Sequence, residues 1–323
     1  MNVKNKEISN ENNKTFATEF LLLGFQVSHG KRLFLFCLFL MVYFMIICGN
    51  LLIIILVSTS KNLHTPMYFF ISQLSIRDIL LPTGIVPNLL HILLNNGGIM
   101  TFVDCITQCY FFDILETFEC FLLAVTTYDR YVAICNPLRY TSIMTSGRCV
   151  ILTIFSFLFG ISLIFIYTIT IANLSFCRDN IIDHLFCDFV PLIDLACSDT
   201  FNIHLEIFLL GTPSVFIPVI IRPFIIIVVS YTYIVVTVLR IPSSTGRQKA
   251  FSTCSSHLTV VSLFYGTLFS IYVVPSKGLT LTVSKILSLL YTVFTPLINP
   301  IIYSLRNEDI KKAIQGTVHK LVI

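Results

Sequence analysis

The chain has 323 residues, of which 55% are hydrophobic and only 12% charged, where a soluble domain carries roughly 25% charged residues. With a mean hydropathy of +0.86, an ordinary soluble enzyme or binding domain is excluded and the bilayer is the expected solvent. The net charge of +4 is too small to argue for nucleic acid as a partner and matters only in how it is distributed, while the hydropathy makes membrane lipid an expected partner.

Residues 1–19 are polar and lack an apolar h-region, so no cleaved signal peptide is expected and the first membrane helix directs insertion itself. A helix needs about 20 apolar residues to cross the hydrocarbon. Seven runs qualify: 33–57, 66–93, 101–128, 149–172, 203–239, 257–274 and 279–305. The second contains Arg77, Asp78, Pro82 and Pro87, and the fifth contains Glu206, Arg222 and prolines at 213, 218 and 223. Prolines kink such helices, and neighbouring helices satisfy the freed carbonyls. The reading is an all-α seven-helix bundle over 33–305, after an outer segment 1–32 and before an inner tail 306–323.

Orientation follows from Lys and Arg in short loops. Lys61, Arg139, Arg148, Arg240, Arg247, Lys249, Arg306, Lys311 and Lys312 fall on one side. Lys31, Arg32, Arg178 and Lys277 fall on the other, where the loop 173–202 is net acidic. The N-terminus is therefore expected outside. Two glycosylation sequons, at Asn13 and Asn173, fall on that side. In the tail, Ile310, Ala313 and Ile314 form one apolar face among charges, the pattern of a short helix lying on the inner surface.

Of 11 cysteines, seven lie in or beside helices and are expected as packed thiols. Cys105, Cys177, Cys187 and Cys197 fall on the oxidising side. Four cysteines allow three pairings, and spacing alone does not choose among them.

Arg130, in Tyr128-Asp129-Arg130-Tyr131, closes the third run. A cation beside an acid at the membrane edge of an apolar helix is expensive and is seldom placed there for stability. Three other long motifs accompany it. Leu63-His64-Thr65-Pro66-Met67-Tyr68-Phe69-Phe70 opens the second helix. Lys249-Ala250-Phe251-Ser252-Thr253-Cys254-Ser255-Ser256-His257-Leu258 opens the sixth. Pro296-Leu297-Ile298-Asn299-Pro300-Ile301-Ile302-Tyr303-Ser304-Leu305-Arg306-Asn307 closes the seventh. Together they resemble the vertebrate olfactory receptors of the rhodopsin-like family, over nearly the whole chain from Glu19-Phe20-Leu21-Leu22-Leu23-Gly24-Phe25 onward.

The resemblance implies a receptor for a small volatile odorant that activates a stimulatory, olfactory-type G protein and raises cAMP at the plasma membrane of olfactory cilia. It pairs Cys105 with Cys187 and Cys177 with Cys197, holding a lid over the ligand cavity. It makes Asp129 and Arg130 a switch pair, with Tyr131, Tyr231, His257, Asn299, Pro300 and Tyr303 as partners in the switch. It places the ligand in the outer half of the bundle, against Phe112, Asp113, Glu116 and Thr117 of helix three. Helix five gives Val215, Phe216 and Val219, helix six Leu268, Phe269 and Tyr272, and helix seven Leu289 and Thr292. Most of this wall is apolar, as suits a volatile molecule.

Asp113 and Glu116 are three residues apart and share a helix face. They bind an amine, pair with Arg222 or Lys285, or stay protonated. Asn50, Asp78, Glu119 and Asn299 match interior polar positions. Asp78 and Glu119 are expected close together, and two carboxylates in a dry site do not both ionise cheaply. A proton, a sodium ion or a hydrogen-bonded water network answers that. Arg77 is turned about 100° from Asp78 and is expected outside this pocket. Three departures from the family pattern stand out: Thr126-Thr127 before Tyr128, Phe157 in helix four, and Arg222 in helix five.

Other classes fit less well. A retinal pump needs a lysine seven residues before Pro300, where Val293 stands, and Lys285 lies two turns further out. No inverted repeat marks a transporter. Asp113 suggests a receptor for an amine, against which the sixth-helix motif argues. No catalytic constellation is present, and no cofactor is expected apart from the sodium ion that is one answer to the Asp78–Glu119 pair.

Overall fold

The computed structural model of the chain describes residues 18–174, 176, 180–193, 195–196, 217–272 and 281–322. The membrane helices are α1 (His29–Thr59), α2 (Pro66–Asn95), α3 (Phe102–Cys135), α4 (Ser146–Ala172) and α5 (Ile217–Leu239), then α6 (Ser244–Tyr272) and α7. The last is built from Leu281–Leu289, a wide turn Leu290–Phe294 and Thr295–Arg306. A fifteen-residue amphipathic helix, α8 (Glu308–Val322), follows and buries Ile310. Among the described residues, α1, α2, α4, α5 and the 282–305 stretch of α7 are long and apolar enough by composition to cross a membrane.

Several helices outrun their apolar runs. α1 starts at His29, four residues before 33; α3 continues past Tyr128 to Cys135; α6 starts at Ser244, well before 257. Backbone hydrogen bonding within a helix does not require apolar side chains, so it carries the ends of these helices into polar surroundings. Threonine caps fix two starts: Thr101 Oγ1 accepts from Asp104 N at 3.1 Å, and Thr145 Oγ1 accepts from Arg148 N.

Helices α1, α2, α3 and α7 pack around buried Asn50, Asp78, Glu119 and Asn299. Pro300 explains one contact there. It has no N–H, so the carbonyl of Pro296, four residues earlier, loses its helical partner. Asn50 Nδ2 donates to that carbonyl at 3.1 Å and ties α1 to α7. Close approach uses small residues, as is usual between membrane helices. A Cβ at Gly49 would meet Pro300 at 3.2 Å, and one at Gly160 would meet the Thr117 methyl at 3.0 Å.

The end of the bundle expected to face outward carries a small sheet that the hydrophobic pattern does not reveal. Strand β1 (Glu19–Leu22) lies between β2 (Gly98–Thr101) and β3 (Ile181–Ile182), antiparallel to β2 and parallel to β3. It brings the segment before α1 against the loop after α4 and buries Phe20, Leu22 and Ile182. Of the seven cysteines expected as packed thiols, Cys109, Cys120, Cys149 and Cys254 are buried and Cys135 partly so; Cys37 and Cys48 are exposed on α1.

Candidate functional site

Cys105, in the first turn of α3, and Cys187 in the outer loop form a disulfide, with Cα atoms 5.3 Å apart. Gln108, one turn further along α3, secures the same loop: its Oε1 accepts from Cys187 N at 2.9 Å, and its Nε2 donates to Gly84 O of α2 at 3.0 Å. Phe176 and Ala196 pair across the loop. Their neighbours Cys177 and Cys197, predicted to pair, lie outside the described residues, as does Asn13. Asn173 is exposed at the end of α4.

A second clasp was not legible in the sequence. Lys285 Nζ donates to Gly24 O at 2.7 Å and pairs with Asp183. His184 is buried, with Nδ1 at 3.1 Å from Phe186 O and Nε2 at 3.1 Å from Ser288 Oγ of α7. Burial pushes the His184 imidazole below its ordinary value of 6.5, while Asp188 pulls it the other way. The unfolded chain then binds the proton more readily, so this stability is present above about pH 6.5 and is lost as pH falls below it. The melting temperature should drop between pH 7.5 and 5.5, measured on purified receptor, and His184→Gln should flatten that dependence.

Below the loop, Phe112 is buried between Phe186 of the loop and Tyr291 of α7, with ring centroids 5.5 and 5.6 Å away. Asp113 is half-buried and has no ion-pair partner among the described residues. Glu116 pairs with Arg77 rather than with Lys285 or Arg222. Thr117 packs its methyl against Gly160. Val219 and Leu268 are buried in the central core, and Thr292 is buried with its hydroxyl donating to Ser288 O at 2.7 Å. Leu289 packs beside Tyr291 in the upper core. Phe269 meets Phe224 edge to face, with ring centroids 5.1 Å apart, and lines a groove of about 570 Å³ between α5 and α6. Val215, Phe216 and the side chain of Tyr272 lie outside the described residues. Arg222 is exposed in a second groove of about 410 Å³ beside Phe155 and Ser156 of α4 and forms no ion pair with Asp113.

Arg77 departs most from the sequence expectation. Its guanidinium reaches back into the bundle, with Nη1 3.1 Å from Asp78 Oδ1, Nη2 2.6 Å from Glu119 Oε2, and Glu116 paired as well. The rotation of about 100° between adjacent residues fixes where Cβ starts, not where a long side chain ends.

At the inner end, Arg130 folds onto buried Asp129, with Nε at 3.0 Å from Oδ2 and Nη2 paired to the same oxygen. Tyr140, in the helical turn Tyr140–Ile143, donates to the other oxygen, Oδ1, at 2.9 Å. Burial, and then the Asp129 charge, push the Tyr140 hydroxyl above the usual phenol range, so it stays a donor. Tyr231 of α5 shares a 2.7 Å hydrogen bond with His257 Nδ1 of α6. Tyr303 is fully buried in α7, Asn299 Nδ2 donates to Asp78 Oδ2 at 2.8 Å, and Tyr131 packs between Tyr128 and Tyr233. Tyr68 ties the start of α2 to α8 through Asn307 and Asp309 at 3.0 Å each.

This architecture is that of a rhodopsin-like, seven-helix receptor. The fold is similar to that of squid rhodopsin, with a TM-score of 0.70 over 92% of this chain and 88% of that one at 19% identity. The sequence profile of the olfactory receptors matches residues 36–320. Rat olfactory receptor 1468 is 44% identical over 94% of this chain and 95% of its own. Human olfactory receptor 11L1 is 45% identical over 95% and 94%. The chain belongs to the olfactory receptor family and is a multi-pass membrane receptor, not an enzyme.

Proposed function

We propose that the receptor binds a small volatile odorant in the outer half of the bundle and activates a stimulatory, olfactory-type G protein, raising cAMP, with its N-terminus outside the plasma membrane of olfactory cilia. The observation that carries this reading is the buried Asp129–Arg130 pair capped by Tyr140. A guanidinium held onto its neighbouring carboxylate is a restraint that a second packing of the helices releases. An odorant that binds that second packing better shifts the population toward it, and the G protein fits the inner cavity that opens. A cAMP reporter in cells expressing the chain, screened against a volatile panel with and without the stimulatory G protein, tests this. Responses that survive removal of that G protein, or none to any volatile from surface-expressed receptor, would refute it.

A second reading concerns ligand chemistry and rests on Asp113. Glu116 is committed to Arg77, while the charged groups acting on Asp113 are the acids Asp188 and Glu116. An acid among acids, with no ion-pair cation among the described residues, favours a ligand ammonium, so aliphatic amines are agonists. Asp113→Asn should reduce amine potency by at least tenfold, about 1.4 kcal/mol, and leave responses to neutral ligands and surface expression unchanged. Equal amine potency in wild type and variant, read from the same reporter, would sink it.

A further inference from the structure

The pocket between Asp78 and Glu119, for which a sodium ion is one of three answers the sequence allows, already contains a cation. Arg77 is 1% exposed and contacts three carboxylates from two helices: Asp78 on its own α2, and Glu116 and Glu119 on α3. Its Nε also points at Leu115 O, 3.4 Å away. Asp78 has no oxygen to spare, because Oδ1 faces Arg77 Nη1 and Oδ2 accepts from Asn299. The residues present therefore do not fit a sodium ion: the guanidinium stands between the three carboxylates and is paired with one oxygen of each. Among the described residues, no group of three or more His, Cys, Asp or Glu side chains is arranged to hold a metal.

We infer that Arg77 is a tethered internal cation that takes the place of a diffusible sodium ion at the centre of this receptor. Three carboxylates exceed one guanidinium by two charges. Glu116 Oε2 and both Glu119 oxygens are buried and have no hydrogen-bond partner among the described residues, so Glu119 meets Arg77 through charge alone. A tethered cation differs from a free one in a way that matters for signalling. A sodium ion leaves when the helices repack, so external salt biases the equilibrium. A guanidinium on α2 stays and can only exchange partners among Asp78, Glu116 and Glu119. The arrangement links the wall below the outer loop (Phe112, Asp113 and Glu116 on α3) to α7 through Asp78 and Asn299, with no ion to gain or lose. This inference does not rest on the odorant reading, and its test needs no agonist.

The test is thermal unfolding of the purified full-length receptor in lipid nanodiscs, titrated with sodium chloride against N-methylglucamine chloride at constant ionic strength, so that general screening is matched. Wild type is expected to melt at the same temperature in both salts. Arg77→Val opens the pocket and strands the acids. It is expected to gain a saturable, sodium-specific stabilisation of about 3 °C or more, the size that a ligand well above its Kd confers. Arg77→Lys keeps a tethered cation and is expected to stay insensitive. Should Arg77→Val fail to fold, Arg77→Val/Glu116→Gln relieves one stranded acid and is measured in its place. Saturable sodium stabilisation of wild type overturns the inference. So does a folded valine variant, single or double, that melts identically in both salts, since Arg77 would then be only a structural ion-pair partner.

Discussion

Replacing Arg130 with alanine should abolish the cAMP response to every agonist while the receptor still reaches the cell surface. Arg130 is the one arginine placed at the inner end of α3 by both its motif and its pairing with Asp129. Removing one member of a buried pair costs about 3–5 kcal/mol, because the other charge is stranded. Asp129 is partly spared, since Tyr140 still donates to it. Arg130→Ala/Asp129→Asn removes both charges and should restore any surface level that the single variant loses, without restoring signalling. Surface staining and reporter output are read from the same cells. A surface-expressed Arg130→Ala receptor with normal cAMP output would end the assignment of Arg130 as the switch. The opposite manipulation gives the opposite sign. Tyr140→Phe deletes a hydrogen bond to a charged group, worth about 1.5–3 kcal/mol. Part of that loss falls only on the restrained packing, so basal cAMP should rise, by up to about tenfold for each 1.4 kcal/mol released.

Much of this site was legible in the sequence because membrane helices write themselves as apolar runs, and because Asp129, Arg130, Asn299 and Pro300 sit in motifs with fixed spacing. What the sequence hid falls into three physical kinds. Helices outrun their apolar runs at Tyr128 and His257, where apolarity stops but backbone hydrogen bonding continues to Cys135 and back to Ser244. The outer sheet escaped because its strands have only four, four and two residues and pair across long separations. No local periodicity announces such pairing. The third kind is reach. A helical wheel places Cα and Cβ, which suffices for Asp78 but not for Arg77, whose head group lies several bonds away. The same limit applies to Lys285, which pairs outward with Asp183 rather than inward with Glu116. Assigning Glu116 to the ligand therefore required knowing where two long cations ended, and their positions followed from burial and partners rather than from spacing.

The outer lid yields the other large effect. Cys105→Ser and Cys187→Ser should damage surface expression and ligand response about equally, and the double variant should be no worse than either single one. The two sulfurs make one bond, so the second substitution removes nothing further, and additivity fails as it must for a shared interaction. The bridge spans a sequence separation of 82. The chain-entropy argument gives about 4.5 kcal/mol for closing a loop of that order. That figure is an upper bound here, because α3 and α4 are already held in the bilayer and restrict how far the ends can separate. Other contacts also hold the loop: Cys187 N to Gln108, β3 to β1, and Lys285 to Asp183. Loss of the bridge alone should therefore loosen the lid more than it unfolds the bundle. Lys285→Met in the Cys105→Ser background separates the two contributions. If both anchors hold the same lid, the combined loss should exceed the sum of the single losses, because either anchor alone keeps the loop near its place. Ligand response normalised to surface level is the quantity to compare. Strictly additive losses for Cys105→Ser and Cys187→Ser would mean that the two cysteines act separately and that the lid hangs on the ion pair and the sheet.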